Sequence, residues 1–240
     1  MIEFDNLAKR YGEIVAVDSL SLKVAPGEVY ALLGANGAGK TTALRCLATL
    51  LQPSAGRTTV AGYDSATQPL EVRRRLGFLA ASMGLYERLS PRELLSYFGG
   101  LQGMTESAIA RRVPELIELF DLTSFADRLC GSLSTGQRQR VSIARSIVHD
   151  PPGVVLDEPT LGLDVLSSEA IQRFVLESRE RRCAVLFSTH QMSEVELLAD
   201  RVGIIAHGRL AAEGTIQQIL ELTSETTLSR AFLQVAKAGR

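Results

Sequence analysis

The sequence predicts an α/β fold with a mainly parallel sheet, and three observations carry that reading. The short apolar run Val29–Leu33 feeds directly into a glycine-rich loop, Gly34-Ala35-Asn36-Gly37-Ala38-Gly39-Lys40-Thr41, and a helical pattern follows. Strand, glycine loop and helix in that order are the context of a phosphate-cradling loop. From about residue 83 to Pro151 the pattern turns helical. Beyond it, short apolar runs alternate with helical stretches, as strands laid parallel with helices between them require.

Taken in chain order, segments around 2–4, 58–60 and 77–80 read as further strands. The helix after the glycine loop covers 40–51 and is stopped by Gln52-Pro53. Ser90-Pro91-Arg92-Glu93 is a capping box with proline at the first helical position. It opens a helix through Leu94, Leu95 and Phe98 that ends at Gly99-Gly100. A second helix covers 111–120. A third covers 137–148, with Val141, Ala144 and Val148 at helical spacing, and breaks at Asp150-Pro151-Pro152. Strands return at 154–156, 184–188 and 202–206, separated by helices over 168–180 and 193–198. His207-Gly208 turns the chain into 209–212. Residues 215–240 hold two short helices, the second placing Leu228, Phe232 and Val235 on one face. No internal repeat, low-complexity tract or long linker interrupts the 240 residues.

Bulk properties narrow the function classes. Hydrophobic residues make up 45% and charged residues 22%, ordinary for a soluble globular protein. With 26 basic and 27 acidic residues the net charge is −1, which leaves no electrostatic footprint for nucleic acid or anionic lipid. Arg73-Arg74-Arg75 reads as a solvated helix face. Cys46, Cys130 and Cys183 are scattered and read as small buried apolar residues in a reducing compartment. The N-terminal residues lack a secretory pattern, and no apolar run approaches the ~18–20 residues needed to cross a bilayer. If the chain works at a membrane, another polypeptide supplies the spans.

The motifs carry the chemistry. The glycines let the loop wrap phosphates with its N–H groups pointing inward, and the helix N-terminus adds attraction. Lys40 would reach the terminal phosphates, the Thr41 hydroxyl would ligate Mg²⁺, and Thr42 could contact the α-phosphate. Asp157 ends an apolar strand, where a carboxylate meets the crevice of an α/β sheet. It suits the Mg²⁺ shell. Glu158 follows it directly. Leu133-Ser134-Thr135-Gly136-Gln137 lies upstream, with Ser134 a good helix N-cap residue. Gly162-Leu163-Asp164 follows, and Ser188-Thr189-His190 closes an apolar run.

These elements in this order resemble the ATP-binding-cassette (ABC) ATPases, over nearly the whole chain. The resemblance implies one nucleotide-binding domain: residues 1–82 and 151–240 as core, with a small N-terminal antiparallel β portion, and about 83–150 as a helical lobe. It implies ATP hydrolysis with Mg²⁺, Glu158 polarising the attacking water and His190 touching the γ-phosphate. Tyr11 would stack on adenine. Ser134, Thr135, Gly136 and Gln137 would serve the ATP of a second copy, head to tail, and Asp164 would cross that interface. Thr135 replaces the commoner glycine and leaves the backbone N–H in place. Ala81 stands where the family usually has a glutamine, which puts the usual coupling of the lobes in doubt.

The 84–90 and 97–101 segments resemble subunits of sodium-export and drug-export transporters. The implied role is the ATPase subunit of an exporter, at the cytoplasmic face of the membrane. It would dock on a separate transmembrane permease through the segment near 83–95, with Na⁺ as leading substrate. Two rivals stand beside it: a cytosolic single-cassette assembly factor, and a nucleotide-gated binding module with little hydrolysis, motivated by Ala81.

Overall fold

The computed structural model describes residues 1–80, 84–161 and 165–238. Ala81 and the Gly162-Leu163-Asp164 segment lie outside them. Strands β1 (Ile2–Tyr11), β2 (Ile14–Val24), β4 (Ala55–Val60) and β5 (Tyr63–Asp64) form an antiparallel sheet in the order β2-β1-β4-β5. A second sheet runs β10 (Arg209–Gly214), β9 (Arg201–Ala206), β3 (Val29–Leu33), β8 (Ala184–Thr189), β7 (Gly153–Asp157), β6 (Leu76–Leu79). It is parallel except for the β9–β10 hairpin, which turns at His207-Gly208.

The cores follow from the sequence pattern. β3 is apolar throughout, β7 and β8 are apolar up to their polar C-terminal ends, and all three are buried at every position, as strands covered on both faces must be. Alternate residues of β3 then face opposite ways. Tyr30 and Leu32 pack with Ile2, Phe4, Val17 and Leu20 of the antiparallel sheet and with Ala43, Leu44 and Leu47 of α1 (Lys40–Leu47). Val29, Ala31 and Leu33 pack on the other face, in the core that holds the remaining long helices. Those are α3 (Pro91–Leu101), α4 (Glu106–Leu119) and α5 (Thr135–Ser146), inserted between β6 and β7, then α6 (Val165–Glu180), α8 (Ile216–Thr223) and α9 (Leu228–Ala238). Short helices α2 (Pro69–Arg73) and α7 (Met192–Leu198) complete the set among the described residues.

Several boundaries differ from expectation. α1 ends at Leu47 rather than 51; Thr49 is left-handed at φ 63°, which a helix cannot contain. The Ser90 capping box forms as expected, but α3 passes through Gly99-Gly100 to Leu101. The reason is packing: a Cβ at Gly99 would meet Ile109 Cγ1 at 3.0 Å, so the glycine lets α3 close on α4. α4 begins at Glu106, capped by the Thr105 hydroxyl, and tolerates Pro114 inside it. β2, β5 and α2 are additional to the expected elements. Arg73 and Arg74 are exposed, as a solvated face requires, while Arg74 and Arg75 pair with Glu71 and Arg75 lies over the Tyr63 ring.

Candidate active site

Sheet register assembles the site. β8 lies between β3 and β7, with Leu33 opposite Thr189 and Asp157 opposite Ser188. Three strand C-terminal ends therefore meet at one crevice, where open α/β sheets take ligands. The glycine loop leaves β3 at this point. At Gly39, φ is 106° and a Cβ would stand 2.4 Å from the Ala16 carbonyl oxygen, so no other residue fits. The Gly208 amide donates to Ala38 O at 3.0 Å and pins the loop from the β9–β10 turn. The loop bounds a cleft of about 210 Å³, lined by Ala16, the run from Ala35 to Thr42, and Glu158. Gly34 sits beneath it, against Ile205.

Lys40 is buried within this cleft. Its ammonium donates to Gly34 O at 2.7 Å and Ala35 O at 3.3 Å and lies 3.1 Å from Glu158 Oε1. The other Glu158 oxygen, Oε2, is 2.8 Å from His190 Nδ1. One carboxylate, 11% exposed, thus joins the loop lysine to the histidine. Glu158 has φ 50°, a left-handed conformation that costs a non-glycine residue ~1–2 kcal/mol. Its amide compensates by donating to both the carbonyl (3.2 Å) and the hydroxyl (3.0 Å) of Ser188.

Asp157 is fully buried. Its Oδ1 accepts from Ser188 Oγ at 2.6 Å and from Thr41 Oγ1 at 3.1 Å. Its Oδ2 is buried with no hydrogen-bond partner among the described residues. An orphaned carboxylate oxygen is costly. Beside a threonine hydroxyl and a phosphate loop it fits a hard divalent cation, since Mg²⁺ is commonly held by one or two carboxylates and phosphate oxygens.

Tyr11 and the Ser134–Gln137 run are not among the residues that line the cleft. Tyr11 ends β1, is 46% exposed, and carries the Lys9 ammonium 5.2 Å from its ring centroid. Ser134 caps α5 in a reciprocal capping box: Ser134 Oγ accepts from the Gln137 amide at 3.3 Å, and Gln137 Oε1 accepts from the Ser134 amide at 3.0 Å. None of Ser134, Thr135, Gly136 and Gln137 lines the cleft. Further along α5, Gln139 Nε2 donates to Pro159 O at 2.8 Å, which ties this helix to the chain just past Glu158.

Two roles escaped sequence reasoning. Ser188 bridges the two acidic residues, and Gln139 ties α5 to Pro159, just past them. Nothing local marks either; both depend on long-range register. Burial shifts several titratable groups that do not line the cleft. It pushes the thiols up, Cys46 to about 11 and Cys183 to about 12, and pushes His149 down to about 4. Burial also raises the carboxyl of Glu194 above its usual range.

The ABC transporter family model matches residues 17–161, from β2 to just past Glu158. The chain belongs to that family. ABC transporter ATP-binding protein NatA of Bacillus subtilis is 39% identical over 244 residues, covering all of this chain and 99% of its own length. Doxorubicin resistance ATP-binding protein DrrA of Mycobacterium tuberculosis is 40% identical over 215 residues, covering 90% of this chain; the match spans 65% of that relative. Among solved structures, an ATP-binding subunit of an ABC transporter superposes with TM-score 0.91 at 29% identity, over 98% of this chain and 99% of its own. A dimeric ATP-binding cassette in a post-hydrolysis state, bound to ADP and Pi, gives TM-score 0.81 at 25% identity, over 90% of this chain and 98% of its own. The chain is an ABC ATP-binding subunit and an ATPase of that family, with the expected α/β architecture: P-loop core, antiparallel β portion and inserted helices. No helix among the described residues is long and apolar enough to cross a membrane.

Proposed function

We propose that this cassette is the ATP-hydrolysing subunit of an exporter, working as a head-to-tail pair at the cytoplasmic face of the membrane. The observation that carries the site reading is the Glu158 carboxylate shared between Lys40 and His190 at the edge of the loop cleft. Lys40 would leave Glu158 for the phosphates of ATP. Glu158 would then be free to orient water, with His190 holding its far oxygen and touching the γ-phosphate. The loop amides of Ala35 to Thr42 would bind the β-phosphate, with Gly34 beneath them, and Tyr11 would stack on adenine. Thr41 and Asp157 would hold Mg²⁺, whose chemistry is to neutralise charge between phosphate oxygens.

Residues 1–82 and 151–240 would act as core and 83–150 as lobe. The second copy would bring Ser134, Thr135, Gly136 and Gln137 to the γ-phosphate, with Asp164 crossing between copies; the exposed helix N-terminus at Ser134 supports this. The permease would seat on the groove between lobe and core, lined by Leu50, Arg73, Phe78, Phe98 and Arg145, with Tyr86 and Tyr97 exposed beside it. The drug-resistance relatives support export; Na⁺ is the substrate we favour, from the resemblance of 84–90 and 97–101.

The test is Glu158→Gln. It keeps the shape and removes the base, so turnover should fall ~10²–10⁴-fold while Mg-ATP still binds and holds two copies together. Turnover near wild type would overturn the assignment.

A further inference from the structure

Thr189 is anchored on both sides of the backbone that carries His190. It ends β8 opposite Leu33, and its carbonyl accepts from the Gly34 amide at 3.2 Å, where the glycine loop begins. Its hydroxyl accepts from the Gln191 amide at 3.0 Å and donates to Glu194 Oε2 at 2.5 Å. Glu194 is the third residue of α7, is 7% exposed, and has no cation in ion-pair range among the described residues. Burying a carboxylate without a counter-ion is unfavourable. An apolar residue would pack there at lower cost. What the carboxylate gains is a short bond to the one hydroxyl that fixes the turn on which His190 sits.

We propose that Glu194 is a positioning residue: acting through Thr189, it holds His190 where Nδ1 meets Glu158 Oε2. The sheet fixes the Thr189 backbone, α7 fixes its side chain, and the turn between them then has one conformation. Without the Glu194 bond, Thr189 can rotate about χ1, its hold on the Gln191 amide loosens, and the His190 ring loses its register with Glu158. This rests on the reading of Glu158 and His190 given above.

The experiment compares steady-state ATP hydrolysis and binding of a non-hydrolysable ATP analogue in Thr189→Val, Glu194→Ala, Glu194→Leu, Glu194→Gln, the Thr189→Val/Glu194→Ala pair and His190→Ala. Losing the hydrogen bond to a charged group should lower kcat about tenfold or more in Glu194→Ala, and at least as much in Thr189→Val, which also loses the bond from the Gln191 amide. KM and analogue affinity should stay within about threefold. Glu194→Gln keeps a carbonyl oxygen for the hydroxyl and should retain most of kcat. The pair should be no slower than Thr189→Val, because that change already removes the bond that Glu194→Ala removes. Because Thr189→Val also frees the Gln191 amide, Glu194→Leu, which fills similar space without an acceptor, decides the matter should Glu194→Ala fail to fold. Near wild-type kcat in Thr189→Val or Glu194→Leu, or a fall in kcat matched by lost analogue binding, would overturn the proposal while an inactive His190→Ala left the site reading intact. A fully active His190→Ala would overturn both.

Discussion

Replacing Ser188 with alanine perturbs both acidic residues of the site at once. The hydroxyl is fully buried, donates to Asp157 Oδ1 at 2.6 Å and accepts from the Glu158 amide at 3.0 Å. A hydrogen bond to an ionised group contributes ~1.5–3 kcal/mol. The Glu158 amide keeps the Ser188 carbonyl at 3.2 Å and Asp157 keeps the Thr41 hydroxyl at 3.1 Å, so part of the loss is absorbed. A net cost of ~2 kcal/mol follows, which for a domain of this size lowers Tm by about 4–8 °C. The chain has no tryptophan, so unfolding is best followed by far-ultraviolet circular dichroism. A divalent cation on Asp157 would neutralise the carboxylate that the serine now stabilises. The Tm gap between Ser188→Ala and wild type should therefore narrow with saturating Mg²⁺ and a non-hydrolysable ATP analogue. A Tm within about 1 °C of wild type without ligand would show that Ser188 does not support Asp157. An equal gap with and without Mg²⁺ would remove the cation from Asp157.

Two further outcomes test other parts of the molecule. Ser134→Arg should leave nucleotide affinity within about twofold but abolish turnover, because Ser134 lies outside its own chain's cleft; the lost cap costs only ~1 kcal/mol, and normal turnover would sink the shared site. His149 is held at about 4 in the fold, by burial, against 6.5 when exposed. The unfolded chain then binds the extra proton between those values, so stability falls as pH drops from about 6.5 to 4, by up to ~3 kcal/mol. Denaturant titrations of wild type and His149→Asn should show the difference between them shrinking over that range. A constant difference would refute the assignment.

What was legible in the sequence was what is encoded locally. The glycine loop, the Ser90–Glu93 capping box and the strand ending at Asp157 each declare themselves within a few residues, and each stands where expected. β2 was missed although Val17, Leu20, Leu22 and Val24 face one core. Its alternation is broken at Ser19, which is left-handed at φ 52°, beside the irregular pairing of Leu20 with Leu7. α2 is five residues long, too short for a period to show. Gly99-Gly100 read as a stop because the local rule for glycine competes with helix packing, and only the partner Ile109 reveals which wins. The bridging of Asp157 and Glu158 by Ser188 depends on the pairing of β7 with β8, which spans about thirty residues and leaves no local trace.

The charge arrangement also argues that the cleft is incomplete by itself. Among the described residues lining it, Lys40 is the one cation, and that ammonium is already paired with Glu158. A triphosphate brings several negative charges next to two carboxylates, Asp157 and Glu158, one of them fully buried. Moving Lys40 onto the phosphates satisfies the ligand but strips Glu158 of its counter-ion, leaving His190 as its remaining partner. Backbone amides supply partial charges only. The deficit would have to be met from outside the cleft, and a cation on the orphaned Asp157 oxygen together with a positive helix end such as that at Ser134 of another copy would meet it. An ATPase built this way should be slow as a monomer for electrostatic reasons alone. Its turnover per chain should rise with protein concentration through the range where pairs form.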